Sequence, residues 1–170
     1  MIELPEETEP LTDEELSNLP VFPLPRVVFF PGSTLPLHLF EERYRDMMED
    51  CVSRGPMAMA VTLLRGDWEA DYEGRPEIHE IAGAGRILDW RRREDGRFDL
   101  LLHGLSRVKL EELPEGGLSY RRAKATRLDD RETHPEAIHK GTTPVLATAA
   151  SVVALVRERY PDFHLGVDAQ

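Results

Sequence analysis

The chain reads as a mainly β protein with α, an α+β fold in which about six short strands close into a small pseudo-barrel. One helix is inserted early and a helical element stands at the C-terminus. Three observations predict this. Five prolines fall between Pro20 and Pro36, which breaks that segment into short strands and turns. The apolar spacing then switches from two to a helical period at Phe40. From Met57 to Leu128, short runs of strand composition alternate with glycine-rich and acidic turns.

Residues 1–18 are expected to be an acidic, solvated and partly disordered tail, because residues 1–19 carry seven acids and no base. Thr12 to Glu15 has capping-box spacing, which would start a short helical turn before Leu19. The net charge of −11 is therefore concentrated at one end, and residues 20–170 carry 25 acids against 21 bases.

The body is assigned to residues 19–128. Pro31-Gly32 suits a type II turn, since proline presets one central residue and glycine accepts the positive φ of the next. Leu35, Leu37 and Leu39 alternate with Pro36, His38 and Phe40, the pattern of a half-buried strand. A helix follows in which Phe40, Tyr44, Met47, Met48 and Cys51 share a face and Gly55 lies past the end. Met57 to Leu64 reads as a buried strand, and Arg65 to Glu77 as a long polar loop. Ile78 to Trp90 and Arg97 to His103 read as a hairpin turned at Asp95-Gly96. Separate strands are expected over Leu105–Leu113 and Ser119–Leu128, with a turn over Pro114–Gly117. Residues 129–170 form a polar connection and a helix that starts at Thr143-Pro144, presents Val145, Ala149, Val152, Val153, Val156 and Tyr160 on one face, and stops at Pro161.

At this point the residues resemble a known family, the amino-terminal substrate-binding domain of the Lon ATP-dependent proteases, which also occurs as small free-standing bacterial proteins. The likeness is carried by Leu19-Pro20-Val21-Phe22-Pro23-Leu24, Phe30-Pro31-Gly32, Leu35 through Glu41, Arg43-Tyr44, Ala84-Gly85-Arg86-Ile87 and Gly104 through Val108. The resemblance implies a PUA-like barrel and a non-catalytic role in binding unfolded or damaged polypeptide segments, or service as an adaptor. A full protease of that kind requires a phosphate-binding loop and a serine-lysine pair, and both are expected to be absent here. No Gly-x-x-x-x-Gly-Lys occurs, and Gly83-Ala84-Gly85 is too short for a dinucleotide fingerprint.

Other chemistry finds little support in the residues. Ser106-x-x-Lys109 matches a serine-lysine spacing by letter, but strand residues three apart face opposite sides. Cys51, the one cysteine, falls on the apolar helix face and reads as core; a single cysteine forms no intrachain disulfide, which suits a cytoplasmic location. The six histidines are scattered, and the five-residue spacing of His134 and His139 suits no paired metal site, so no metal or cofactor is expected. His38 reads as a structural hydrogen-bonding residue. Arg91, Arg92 and Arg93 beside Trp90, with Arg121 and Arg122 later, form the one basic concentration, but a mildly acidic body weighs against nucleic acid. No apolar run is long enough to span a bilayer. Trp68 and Tyr72 in the acidic loop, with Trp90 on the hairpin, are the candidate peptide contacts, although loop aromatics also fold back to complete small cores. The rival readings are a hydrolase of unknown substrate and a small-ligand or RNA-binding barrel.

Overall fold

The structure is a computed structural model and describes residues 9–72, 74–129 and 135–159. The chain divides into two compact units, Met1–Asp129 and Asp130–Gln170. In the first, the elements run α1 (Asp13–Ser17), β1 (Leu19–Leu24), β2 (Thr34–Leu39), α2 (Glu42–Arg54), β3 (Ala58–Leu63), a 3-10 turn (Trp68–Asp71), β4 (Ile81–Arg92), β5 (Phe98–Glu112) and β6 (Arg121–Leu128).

Strands β5, β4, β3, β1 and β6 pair in that order, and β6 returns to β5, so five strands close a barrel and β2 is added at its side. The fold class predicted from the sequence is the one observed. Closure depends on β5, which is one continuous strand where two were expected. Its first part, Phe98–His103, pairs with β2, and its last part, Arg107–Glu112, pairs with β6. Both parts pair with β4, whose register shifts at Ala84/Gly85 and at Ile87/Asp89. Such bulges bend a strand, which lets β5 leave one partner and meet another.

Strand β1 shows how a barrel strand tolerates prolines. Pro20 lies where β1 pairs with β6 alone, and Pro23 where it pairs with β3 alone. Each missing N–H therefore falls where the strand has a single neighbour, the setting in which a strand tolerates proline. Pro36 lies in β2, which has only β5 beside it.

The buried side chains form two clusters on opposite faces of the strands. One takes Leu19, Val21, Ala58, Ala60, Ala82, Ala84, Val108, Leu110, Ala123 and Ala125 from all five barrel strands and is completed by Leu11 and Leu16. Small residues are what the narrow interior of a five-stranded barrel admits. The other packs the apolar face of α2 (Tyr44, Met47, Met48, Cys51) against Phe22, Met59, Val61, Ile87, Phe98, Leu100 and Leu102.

The residues before Leu19, and Phe40, also depart from expectation. The supposed tail is part of the fold from Leu11 onward: Thr12 and Glu15 form a full capping box, and Leu11 and Leu16 plug the barrel. The Arg127 guanidinium donates to the Leu11 carbonyl, and Arg86 holds Glu15 by two bonds of 2.9 and 3.2 Å. Burial pushes the Glu15 carboxyl up, but the bonds from Arg86 and Thr12 outweigh it and hold the pKa below the ordinary value. Charge counting missed the two leucines because it registers only the acids around them. Residues 1–8 lie outside the described residues. Phe40 precedes α2 and is 58% exposed instead of joining its buried face.

The second unit contains α3 (Pro135–Arg159), which runs through Pro144 instead of starting there. Pro135 is its first residue, where a proline loses no helical bond. Thr148 donates its hydroxyl to the Pro144 carbonyl at 2.9 Å, inside the helix. Tyr160 and Pro161 lie outside the described residues.

Candidate functional site

Two surface features stand out on the barrel unit. The first is built by Val27-Val28-Phe29-Phe30, four apolar residues between β1 and the Pro31-Gly32 turn. The turn has Gly32 at φ 76° and Ser33 N–H donating to the Phe30 carbonyl at 3.2 Å. The segment lies directly on the sheet, with Gly32 N–H donating to the Gly104 carbonyl and Gly104 N–H to the Ser33 carbonyl at 2.8 and 2.9 Å. Phe29 turns inward and is 4% exposed, so its neighbours Val28 and Phe30 face out, each 59% exposed. Together with Ile81, 51% exposed, they line a mostly apolar groove of about 170 Å³ that also takes in Ala82, Gly83, Thr62 and Arg107. Exposed large side chains gathered around one groove mark contact surfaces.

The second feature is the loop 65–77 with its aromatic pair. The loop is closed at its base, where Arg65 N–H donates to the Glu77 carbonyl at 2.8 Å and Leu64 bridges Ile78. Its crest is tied to the start of α2. The Tyr72 hydroxyl donates to Glu41 Oε1 at 2.7 Å, and Arg43 donates to Glu41 Oε2 at 2.9 Å and to the Tyr72 and Gly74 carbonyls at 3.2 and 3.3 Å. The Arg43 guanidinium also lies 4.9 Å from the centre of the Tyr44 ring and 5.5 Å from that of Tyr72. Trp68 meets Tyr72 edge to face at 5.9 Å. Behind the loop, Arg75 bonds Glu112 and Glu115, while Arg121 bonds Glu112 at 3.1 Å and the Pro76 carbonyl at 2.5 Å.

Of the three aromatic candidates, Trp68 and Tyr72 are thus brought together. Trp90 stands on the β4–β5 hairpin, 38% exposed and 6.0 Å from the ring of Phe98. Val28, Phe30 and Ile81 are not among the contacts expected from the sequence. A signal was present for the first two: four consecutive apolar residues between turn residues cannot all face one side of a segment.

Cys51 is buried, and burial, with a further contribution from the Asp50 carboxylate, pushes its thiol up to about 12. At about pH 8 the native protein is expected to resist an aromatic disulfide reagent and to react fully once unfolded, because the thiolate is the attacking species. Rapid labelling of the native protein would contradict this burial. Ser106 lies in β5, and the Lys109 ammonium pairs with Glu80 at 3.6 Å. His38 faces Asp99 across the β2–β5 ladder, Nδ1 to Oδ1 at 2.7 Å, and Arg93 Nε binds the other Asp99 oxygen at 2.7 Å. The bond from Arg93, and then that from His38, hold the Asp99 carboxyl below its usual range. Of the basic concentration, Arg92, Arg93 and Arg121 each pair with an acid. Among the described residues no group of three or more His, Cys, Asp or Glu is placed to hold a metal, and no helix is long and apolar enough to cross a membrane.

Comparison with known proteins agrees with this architecture. A family model described as the ATP-dependent protease La (LON) substrate-binding domain matches residues 18–164. A Lon protease of Flavobacterium johnsoniae is 28% identical over 110 residues, which span 64% of this chain and 13% of that protein. Lon protease 2 of Syntrophobacter fumaroxidans is 28% identical over 120 residues, covering 70% of this chain and 15% of the relative. A crystal structure of a Lon N-terminal domain protein from Xanthomonas campestris aligns with TM-score 0.53 and 28% identity over 70% of this chain and 66% of that one. The N-terminal domain of a Mycobacterium avium complex Lon protease shares the fold, with TM-score 0.61 and 15% identity over 84% of this chain and 73% of that one.

Proposed function

The chain belongs to the LON substrate-binding domain family, and from that premise we propose that it is a non-catalytic module binding unfolded or damaged polypeptide segments, for degradation or as an adaptor. The observation that supports this is the groove at Val28, Phe30 and Ile81, where three large apolar side chains stand exposed around a mostly apolar groove. Folded proteins bury such side chains and unfolded ones display them, so a shallow apolar groove discriminates by folding state more than by sequence. Affinity for any one segment is modest, because ordering a flexible chain costs entropy. Trp68 and Tyr72 are proposed as further contacts, with Trp90 as a separate one on the hairpin. The chain spans about one seventh of the relatives' length, 13% and 15% in the two compared above, so their ATP-dependent proteolysis enters this reading only as the process the module would serve.

The test is an NMR titration of the isotope-labelled protein with a panel of unfolded apolar peptides. Shifts should centre on residues 27–31 and 81–83, and the double variant Phe30→Ser/Ile81→Ser should bind about tenfold more weakly while keeping its folded spectrum. No shift at about 1 mM peptide would remove the proposal, since even weak recognition populates the complex there.

A further inference from the structure

A second groove, of about 580 Å³, is lined by Phe40, Glu41, Glu42, Arg43, Asp46 and Tyr72, together with Ser119. Its charge is lopsided. Glu41 is neutralised by Arg43 at 2.8 Å and is further occupied by the Tyr72 hydroxyl. Glu42 and Asp46 have no cation paired with them among the described residues; Asp46 accepts one bond, from the Ser119 hydroxyl at 2.7 Å. The two carboxylates are one helical turn apart on α2 and so share a face. Beside them stands Phe40, one side of which is occupied by His38 at 6.2 Å. Tyr72 also lines the groove, held in place by its hydroxyl and by the Arg43 anchor.

From this arrangement, and resting on the polypeptide-binding reading above, we infer that the Phe40–Tyr72 groove selects polypeptide segments carrying lysine or arginine, seating the basic side chain between the rings with its head at Glu42 and Asp46. The aliphatic stem of a basic residue covers apolar surface while its head stays polar, which matches aromatic walls with carboxylates at the rim. An acidic segment would face two like charges, so the groove rejects as well as attracts. Glu42 and Asp46 are exposed, so the preference is moderate and weakens with salt.

The experiment uses three labelled peptides with one shared apolar sequence and Lys, Gln or Glu at a single position, titrated at low ionic strength into the wild-type chain and into Glu42→Gln/Asp46→Asn. The amide introduced at position 46 can still accept from the Ser119 hydroxyl, so the fold is kept. The Lys peptide should bind about fivefold more tightly than the Gln peptide, and the Glu peptide more weakly than both. The double variant should abolish this ranking and leave the Gln peptide's Kd unchanged. Equal affinities on the wild-type chain, or a lysine preference that survives in the variant, overturn the inference and leave the polypeptide reading intact. Failure of all three peptides to bind overturns both.

Discussion

Gly104→Ala is expected to lower the stability of the barrel unit by about 3 kcal/mol, the upper end of what overpacking a tight contact costs. A Cβ on Gly104 would lie 2.1 Å from the Phe30 carbonyl oxygen, and one on Gly83 would lie 2.1 Å from that of Phe29. Both obstacles are backbone atoms, so no rotamer change relieves them. The Val27–Phe30 segment must lift from the sheet, breaking the paired bonds between Gly104 and the Gly32–Ser33 turn. Gly66→Ala is the matched control: with φ 68° and no atom within 4 Å of the added carbon, it meets backbone strain alone and is expected to cost about 1 kcal/mol. Urea unfolding of the three chains measures the difference. A Gly104→Ala midpoint equal to that of the wild type would mean that the segment rides on the sheet without being held by it.

Phe29→Ala is expected to cost about 3 to 5 kcal/mol, the range for removing a buried phenylalanine. The ring occupies the space the glycines leave: its atoms lie 3.0, 2.8 and 3.3 Å from the points where Cβ atoms on Gly83, Gly85 and Gly104 would stand. A truncated side chain leaves a cavity whose floor is backbone, and backbone cannot collapse to fill it. Combining Phe29→Ala with Gly104→Ala should not restore stability, because the obstacle at Gly104 is chiefly the Phe30 carbonyl and not the ring. A double variant more stable than Gly104→Ala alone would show that the ring, not the crossing backbone, sets the constraint. Phe29 also determines which way its neighbours face, so the variant should lose peptide affinity along with stability.

Much of the fold was legible because its signals are local. The alternation of Leu35, Leu37 and Leu39, the capping box at Thr12–Glu15 and the closing glycine of α2 depend on residues within one or two turns of each other. The candidate site was less legible. Trp68 and Tyr72 could be picked out as aromatics in a polar loop, but what holds Tyr72 is Arg43, 29 residues before it, and no pattern in the loop points to it. Phe40 fits a helical period by spacing yet lies before the helix, since periodicity does not show where a helix begins.

By itself the sequence determined the element types and their order, the prolines and glycines that separate them, and the family to which they belong, because propensity, turn chemistry and apolar period act over a few residues. The tertiary structure alone decided how β5 divides its two halves between β2 and β6, why Gly83, Gly85 and Gly104 must lack side chains, and which apolar residues stay outside. Those outcomes depend on segments far apart in the chain meeting at van der Waals distance: Phe29 needs its glycine floor before Val28 and Phe30 are turned outward.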